Sequence, residues 1–302
     1  MSPTIPQPLT ARAILERLVA FPTVSRDTNL PLVDWVQDYL GQHGIDSHRV
    51  LSPCGTKAHV YAQVGPDSPG GVILSGHTDV VPVDGQAWTG DPWTVIERDG
   101  KLFGRGTCDM KGFDAMAIAA LVKARSAPLK RPLQLALSYD EEVGCMAVAD
   151  LVEAMIASDL PRADSVIVGE PSMMKVVTGH KGGTGYWVHV EGFEVHSSLQ
   201  PYGVSAIHEG VRLIQWANDQ NDALAAATPS ALAAPFDPPF STLHVGTISG
   251  GTAINITAKS CDFMLNVRAV PGEGFWAERE AASMVSARSR MPISMVWGLG
   301  PG

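Results

Sequence analysis

The chain of 302 residues is 45% hydrophobic and 18% charged, enough to bury a sizeable core and to fill about two domains. Its formal net charge of −9 argues against a nucleic-acid surface or an anionic membrane, both of which select clustered Lys and Arg, and makes a small molecule the expected partner. No apolar run approaches the length that spans a bilayer, and the opening MSPTIPQPLT lacks a basic start followed by an apolar stretch, so a cytoplasmic location is expected.

In chain order, hydrophobic period predicts amphipathic helices over 10–21 and 31–42, the second with Pro31 in its opening turn. Compact apolar runs at 59–64, 71–76, 132–138 and 164–169 read as strands, separated by helical stretches at 111–127 and 145–158. That alternation is α/β, with a mostly parallel central sheet flanked by helices. Between 93 and 103 an alternating segment turns at Asp99 and Gly100, which predicts one antiparallel hairpin. Beyond Val177 the texture changes. Residues 180–192 alternate like a half-exposed strand, and 203–219 form a helix with Val204, Ile207, Val211 and Ile214 on one face. Strands at 241–249 and 259–270, a helix from about 273 to 288 and a strand at 293–297 complete a smaller α/β unit with one sheet, and 222–239 is an inserted loop. The expected division is a catalytic domain at 1–178 and a second domain at 179–302. Cys54, Cys108, Cys145 and Cys261 form no CxxC pair, so they are expected to be reduced and mostly buried rather than a disulfide framework or thiolate zinc site.

Four short motifs carry the candidate chemistry. Ser75 to Pro82 reads SGHTDVVP and follows a strand; residues two apart on a strand share a face, so Asp79 can orient the His77 ring and leave its other nitrogen for a metal. Gly104 to Gly112 makes a tight turn before a helix, where Asp109 can cap the helix or bridge two cations. The G-x-G-x-x-G pattern lacks its third glycine there and no G-K-[ST] follows, which discounts a nucleotide. In Asp140-Glu141-Glu142 adjacent side chains point different ways, so one glutamate can bind metal while the other faces a water as general base. Glu170 closes a further strand end in Gly169-Glu170-Pro171. Alone, each motif has an ordinary use as a cap, an acidic turn or a strand terminator. Together they form a histidine and carboxylate set without thiolates, which suits zinc, with cobalt or manganese as substitutes.

SGHTDVVP at 75–82, GRGTCDMKGF at 104–113, DEEVG at 140–144 and GEP at 169–171, in this order, resemble the family that contains acetylornithine deacetylase, succinyl-diaminopimelate desuccinylase and related zinc carboxypeptidases and aminoacylases. The resemblance covers nearly the whole chain. It implies a two-zinc amidohydrolase in which His77 and Glu170 hold one ion, Asp109 bridges both, Glu142 holds the second, Asp79 orients His77, and Glu141 is the general acid/base. Within the family, 91–113 and 180–207 look most like the members that cleave N-acetylornithine to ornithine and acetate in arginine biosynthesis. Succinyl-diaminopimelate or a dipeptide is the alternative substrate. The resemblance further makes the second domain a lid and dimerisation domain of a homodimer. Its His196 would reach the partner subunit's site to help hold the oxyanion, while Asn255 and Arg268 would contact the α-carboxylate of the N-acyl amino acid.

Members of that family continue past the lid into further strands and a last histidine ligand. No histidine lies beyond His244, so that ligand has no counterpart and the second ion would rest on Glu142 and Asp109. The chain is therefore expected to be C-terminally truncated, exposing apolar strand edges. A catalytically silent, dimeric metal-binding protein is the competing expectation.

Overall fold

Two compact units, 1–175 and 176–302, divide the chain. The computed structural model describes residues 6–272 and, for the backbone alone, 293–297; the helix expected over 273–288 lies outside the described residues.

The first unit opens with α1 (Ala11–Val19), whose N-cap Thr10 hydroxyl accepts the Ala13 N–H at 3.1 Å. Its buried Ile14, Leu15, Leu18 and Val19 recur at helical spacing. Next, α2 (Leu30–Gln42) carries Pro31 in its first turn and buries Leu32, Val33, Val36, Tyr39 and Leu40. Strands β1 (Ser47–Leu51), β2 (Ala58–Val64) and β3 (Val72–His77) follow, then a hairpin of β4 (Ile96–Arg98) and β5 (Lys101–Phe103). The unit ends with α3 (Lys111–Ala124), β6 (Leu133–Ser138), α4 (Val148–Ala157) and β7 (Ser165–Val168).

The main sheet has the order β1-β2-β6-β3-β7. β6, β3 and β7 are mutually parallel, whereas β2 is antiparallel to both β6 and β1, so only β2 runs against the other strands. On one face α1, α2 and α3 close a core with Val60, Ala62, Leu135 and Leu137; on the other Leu151 of α4 meets Tyr61 and Ala136. Both faces of β2 and β6 are covered, which is why their sequences are almost unbroken apolar runs. Each such buried aliphatic side chain contributes about 1.5–3 kcal/mol. β1 has no counterpart among the expected elements, because Ser47, His48 and Arg49 give it no apolar alternation and it lies half exposed at the sheet edge. At the opposite edge β7 leaves Val166, Ile167 and Val168 more than half exposed, at 54%, 51% and 61%.

The second unit is a four-stranded sheet, order β11-β8-β10-β9, antiparallel throughout: β8 (Gly182–Glu191), β9 (Thr242–Gly250), β10 (Ser260–Ala269) and β11 (Ile293–Trp297). Alternate residues Tyr186, Val188 and Val190 of β8 and Cys261, Phe263 and Leu265 of β10 pack on Ala206, Leu213 and Trp216 of α5 (Ala206–Ala226). α5 runs past its expected end at 219, since Ala223, Ala225 and Ala226 extend the helix into the segment expected to be loop. Asn221 then fastens it to β9 through paired 2.8 Å hydrogen bonds with the Leu243 backbone.

The cysteines are free, but Cys54, Cys108 and Cys145 are exposed and only Cys261 is buried, which corrects the expectation of mostly buried thiols. The three exposed ones sit in turns, where no packed face covers them. Among the described residues no helix is long and apolar enough to cross a membrane.

Candidate metal centre

Strand direction decides what meets here. Because β6, β3 and β7 are parallel neighbours, their carboxyl ends emerge side by side, where ligand sites of open α/β sheets collect. His77 is the last residue of β3, Asp140, Glu141 and Glu142 follow β6, and Glu170 follows β7. Asp109 arrives from the turn ahead of α3, closed by a 2.8 Å bond from the Lys111 N–H to the Gly106 carbonyl. Two glycines permit the close approach of these segments. A Cβ on Gly76 would lie 2.0 Å from Asp114 Oδ1, and one on Gly169 would lie 1.9 Å from Phe113 Cγ.

Buried His77 is the centre of the cluster. Its Nε2 is 3.1 Å from Asp109 Oδ1, 3.6 Å from Glu170 Oε1 and 3.8 Å from Glu141 Oε2. Its Nδ1 lies 2.9 Å from the Asp79 backbone carbonyl and 3.5 Å from the Asp79 carboxylate, so a proton on Nδ1 is donated to the backbone oxygen first. Ligand-capable atoms fall into two sets, His77-Glu141-Glu170 and His77-Asp109-Glu142, each within 4.8 Å of one another. All five residues named from sequence for metal and acid/base work therefore surround one point, with Glu141 at 3.8 Å only slightly farther from His77 than Glu170 at 3.6 Å.

The electrostatics are those of a surplus of carboxylates. Burial, and then the charge of Asp109, pushes Glu142 up to about 7, and burial also raises Glu170. Burial opposes protonation of His77, but the hydrogen bond and charge of Asp79, with Asp114 and Glu170, outweigh it and lift the ring to about 10. For Asp79 burial also acts upward, yet hydrogen bonds from His77 and Ser25 hold its carboxyl below the ordinary value. Among the described residues no lysine or arginine forms an ion pair with Asp109, Glu141, Glu142 or Glu170. An imidazole and four carboxylates with no lysine or arginine paired to them among the described residues are a donor set that divalent cations neutralise, and the absence of thiolates fits a borderline or hard ion.

Sequence reasoning missed a ring of residues around this centre. Ser25 donates to Asp79 Oδ2 at 2.7 Å. Thr23 donates to the Thr78 carbonyl at 2.5 Å, and Asn29 donates to Thr78 Oγ1 at 2.9 Å, pinning Thr78 between His77 and Asp79. Lys111 is buried with its ammonium on the Phe21 carbonyl at 2.7 Å, and burial lowers it to about 7. Asp114 is buried with Oδ1 unbonded among the described residues, and burial raises its carboxyl well above the usual range. Asp114 did leave a signal, a lone acid within the apolar run of α3.

The second unit carries the other three expected residues, all exposed. His196 Nδ1 lies 2.8 Å from Ser198 Oγ, and the Ser197 N–H donates to the Asn255 carbonyl at 2.8 Å, so His196 and Asn255 share one corner. Arg268 sits elsewhere in that unit, on β10, with its guanidinium over Gly183 of β8.

An imidazole and carboxylates gathered at the parallel strand ends of an α/β unit fit the class that the family match shows, a metal-dependent hydrolase. The family model described as peptidase family M20/M25/M40 matches residues 73–287, and the chain belongs to that family. It is 39% identical over 278 residues to the acetylornithine deacetylase of Myxococcus xanthus, covering 90% of this chain and 70% of that one. It is 34% identical over 271 residues to the acetylornithine deacetylase of Photorhabdus laumondii, covering 86% and 67%. Among solved structures, an M20 family metallo-carboxypeptidase from Sulfolobus solfataricus is similar in fold, with a TM-score of 0.70 at 16% identity over 94% of this chain and 77% of that one.

Proposed function

We propose that this chain hydrolyses the amide bond of an N-acyl amino acid, N-acetylornithine by preference, with zinc as its metal and cobalt as a working substitute. The observation that carries this reading is the pair of ligand sets meeting on His77; the identity to two acetylornithine deacetylases supports the substrate. In this reading His77 and Glu170 would hold one ion, Glu142 would hold the second, and Asp109 would serve both. When bound, the ions polarise the amide carbonyl and acidify the attacking water. Glu141 takes the proton of that water and returns it to the leaving nitrogen as the C–N bond breaks, giving acetate and ornithine, a step towards arginine. Asp79 keeps the His77 ring oriented through its backbone carbonyl and its carboxylate.

We read 1–178 as the catalytic domain and 179–302 as a lid that pairs two copies in a cytoplasmic homodimer. His196 then serves the oxyanion of the partner's site, and Arg268 and Asn255 take the substrate carboxylate. The test is turnover of N-acetylornithine, N-succinyl-diaminopimelate and a dipeptide side by side by zinc-loaded protein. Ornithine release as the fastest of the three supports the reading; preference for either other substrate overturns the choice of acyl amino acid. No hydrolysis of any, with metal bound, favours a silent metal-binding protein.

A further inference from the structure

Asp79 is the junction of three chain segments distant in sequence. Its Oδ2 accepts the Ser25 hydroxyl at 2.7 Å, from the stretch between α1 and α2. The backbone N–H groups of Glu141 and Glu142 donate to Oδ1 at 3.2 Å and to Oδ2 at 3.3 Å. Ser25 is itself held from behind, because Lys57 Nζ donates to the Ser25 carbonyl and, at 2.6 Å, to Asp140 Oδ1. Lys57 and Asp140 are largely shielded, with side chains 17% and 22% exposed. Asp140 immediately precedes the two glutamates and takes a left-handed φ of 60°, a conformation that aspartate adopts more readily than most residues and that turns the chain into the Glu141-Glu142 segment. Lys57 is the only lysine or arginine in an ion pair with Asp140, Glu141 or Glu142 among the described residues.

We propose that Ser25 and Lys57 form an outer clamp that fixes the Asp79 carboxylate and the Glu141-Glu142 turn against each other, presetting the geometry of the metal centre. Neither belongs to the ligand sets, so both are positioning residues. A carboxylate rotates about its last bond unless its oxygens are individually held. Two backbone N–H groups from one turn fix Asp79 relative to that turn alone, and the Ser25 hydroxyl adds a reference from outside it. Lys57 joins the two anchors, since a single ammonium grips the backbone of Ser25 and the residue that launches the turn. Loss of either hand lets Asp79 and the glutamates shift together, and the ligand atoms lose their mutual spacing.

The inference rests on the metal centre proposed above, and Co2+ titration of the full chain separates the two. Visible absorption reports coordination geometry, chelator competition gives affinity, and thermal unfolding without metal reports the fold. Ser25→Ala and Lys57→Met should each bind Co2+ roughly ten- to a hundredfold more weakly, as loss of a ligand's supporting contacts does elsewhere, with an altered absorption band. Lys57→Arg should restore most of the affinity, and the double variant should bind no more weakly than the poorer single one, because the two residues act through one unit. Wild-type affinity and spectrum in both single variants overturns the clamp while leaving the metal centre standing. No Co2+ binding by the unaltered chain overturns both. Should Ser25→Ala unfold, Lys57→Met with Lys57→Arg decides the same question from the other side.

Discussion

The two sheets of this protein use their residues in opposite ways. In the first unit three parallel strands release their chains at one edge, so His77, the Asp140–Glu142 turn and Glu170, separated by as much as 93 positions in the numbering, arrive around one point. In the second unit every pairing is antiparallel, and successive strands leave the sheet at opposite ends. There the candidate residues do not all meet: His196 and Asn255 share a corner, while Arg268 lies along β10. Parallel order concentrates chemistry without needing any of the strands to be neighbours in sequence. Antiparallel order supplies a surface on which a polar residue gains importance only from what docks against it.

That contrast sets the scale of the expected effects. Glu141→Gln removes the proposed proton carrier and keeps the shape of the side chain, so hydrolysis should fall by roughly 10²–10⁴-fold with metal content unchanged. Metal lost together with activity, by elemental analysis, would instead make Glu141 a ligand, as its 3.8 Å separation from His77 permits. Gly169→Ala drives a methyl into the Phe113 ring. Overpacking of that kind costs about 1–3 kcal/mol, to be read as a lower unfolding midpoint in denaturant. An unshifted midpoint would show that Phe113 swings away freely.

Metal affinity should rise with pH. Glu142, held up to about 7, and His77, held up to about 10, carry protons that an ion must displace, so uptake weakens as pH falls through neutrality. Calorimetric titration in buffers of different ionisation heat would count the released protons, and a pH-independent affinity would contradict the charge surplus at the site. In the second unit, Arg268→Ala should leave metal binding and the unfolding midpoint in place and raise KM by the loss of a charged hydrogen bond, about 1.5–3 kcal/mol. If kcat fell and KM did not, Arg268 would be acting on the reacting centre and the passive picture of that surface would fail.

Sequence made legible whatever has local period or a compact motif. The helices at α1, α2 and α3, the apolar strands β2, β3 and β6, and the five residues around His77 were all readable, because burial on both sheet faces leaves continuous apolar runs that end at the motifs. β1 was not, since Ser47, His48 and Arg49 lie half exposed at an edge and carry no apolar pattern. The end of α5 was misread where helix-forming alanines sit beside a proline-rich loop. Ser25, Lys57, Thr23 and Asn29 were invisible for another reason. Their partners lie 54, 83, 55 and 49 positions away, and a single hydrogen bond over that distance leaves no trace in local composition.

The contact between Gly76 and Asp114 has a consequence for how this sequence can vary. A methyl at 76 would meet Asp114 Oδ1 at 2.0 Å, so the backbone beside His77 and the lone acid of α3 share one small volume. Gly76→Ala should be rejected while Asp114 is present and become tolerable beside Asp114→Gly, although the two positions lie in different elements. In a library varied at both sites an alanine at 76 would appear only with a smaller residue at 114, and a survey of single changes would score position 76 as intolerant without revealing that Asp114 occupies the space it needs.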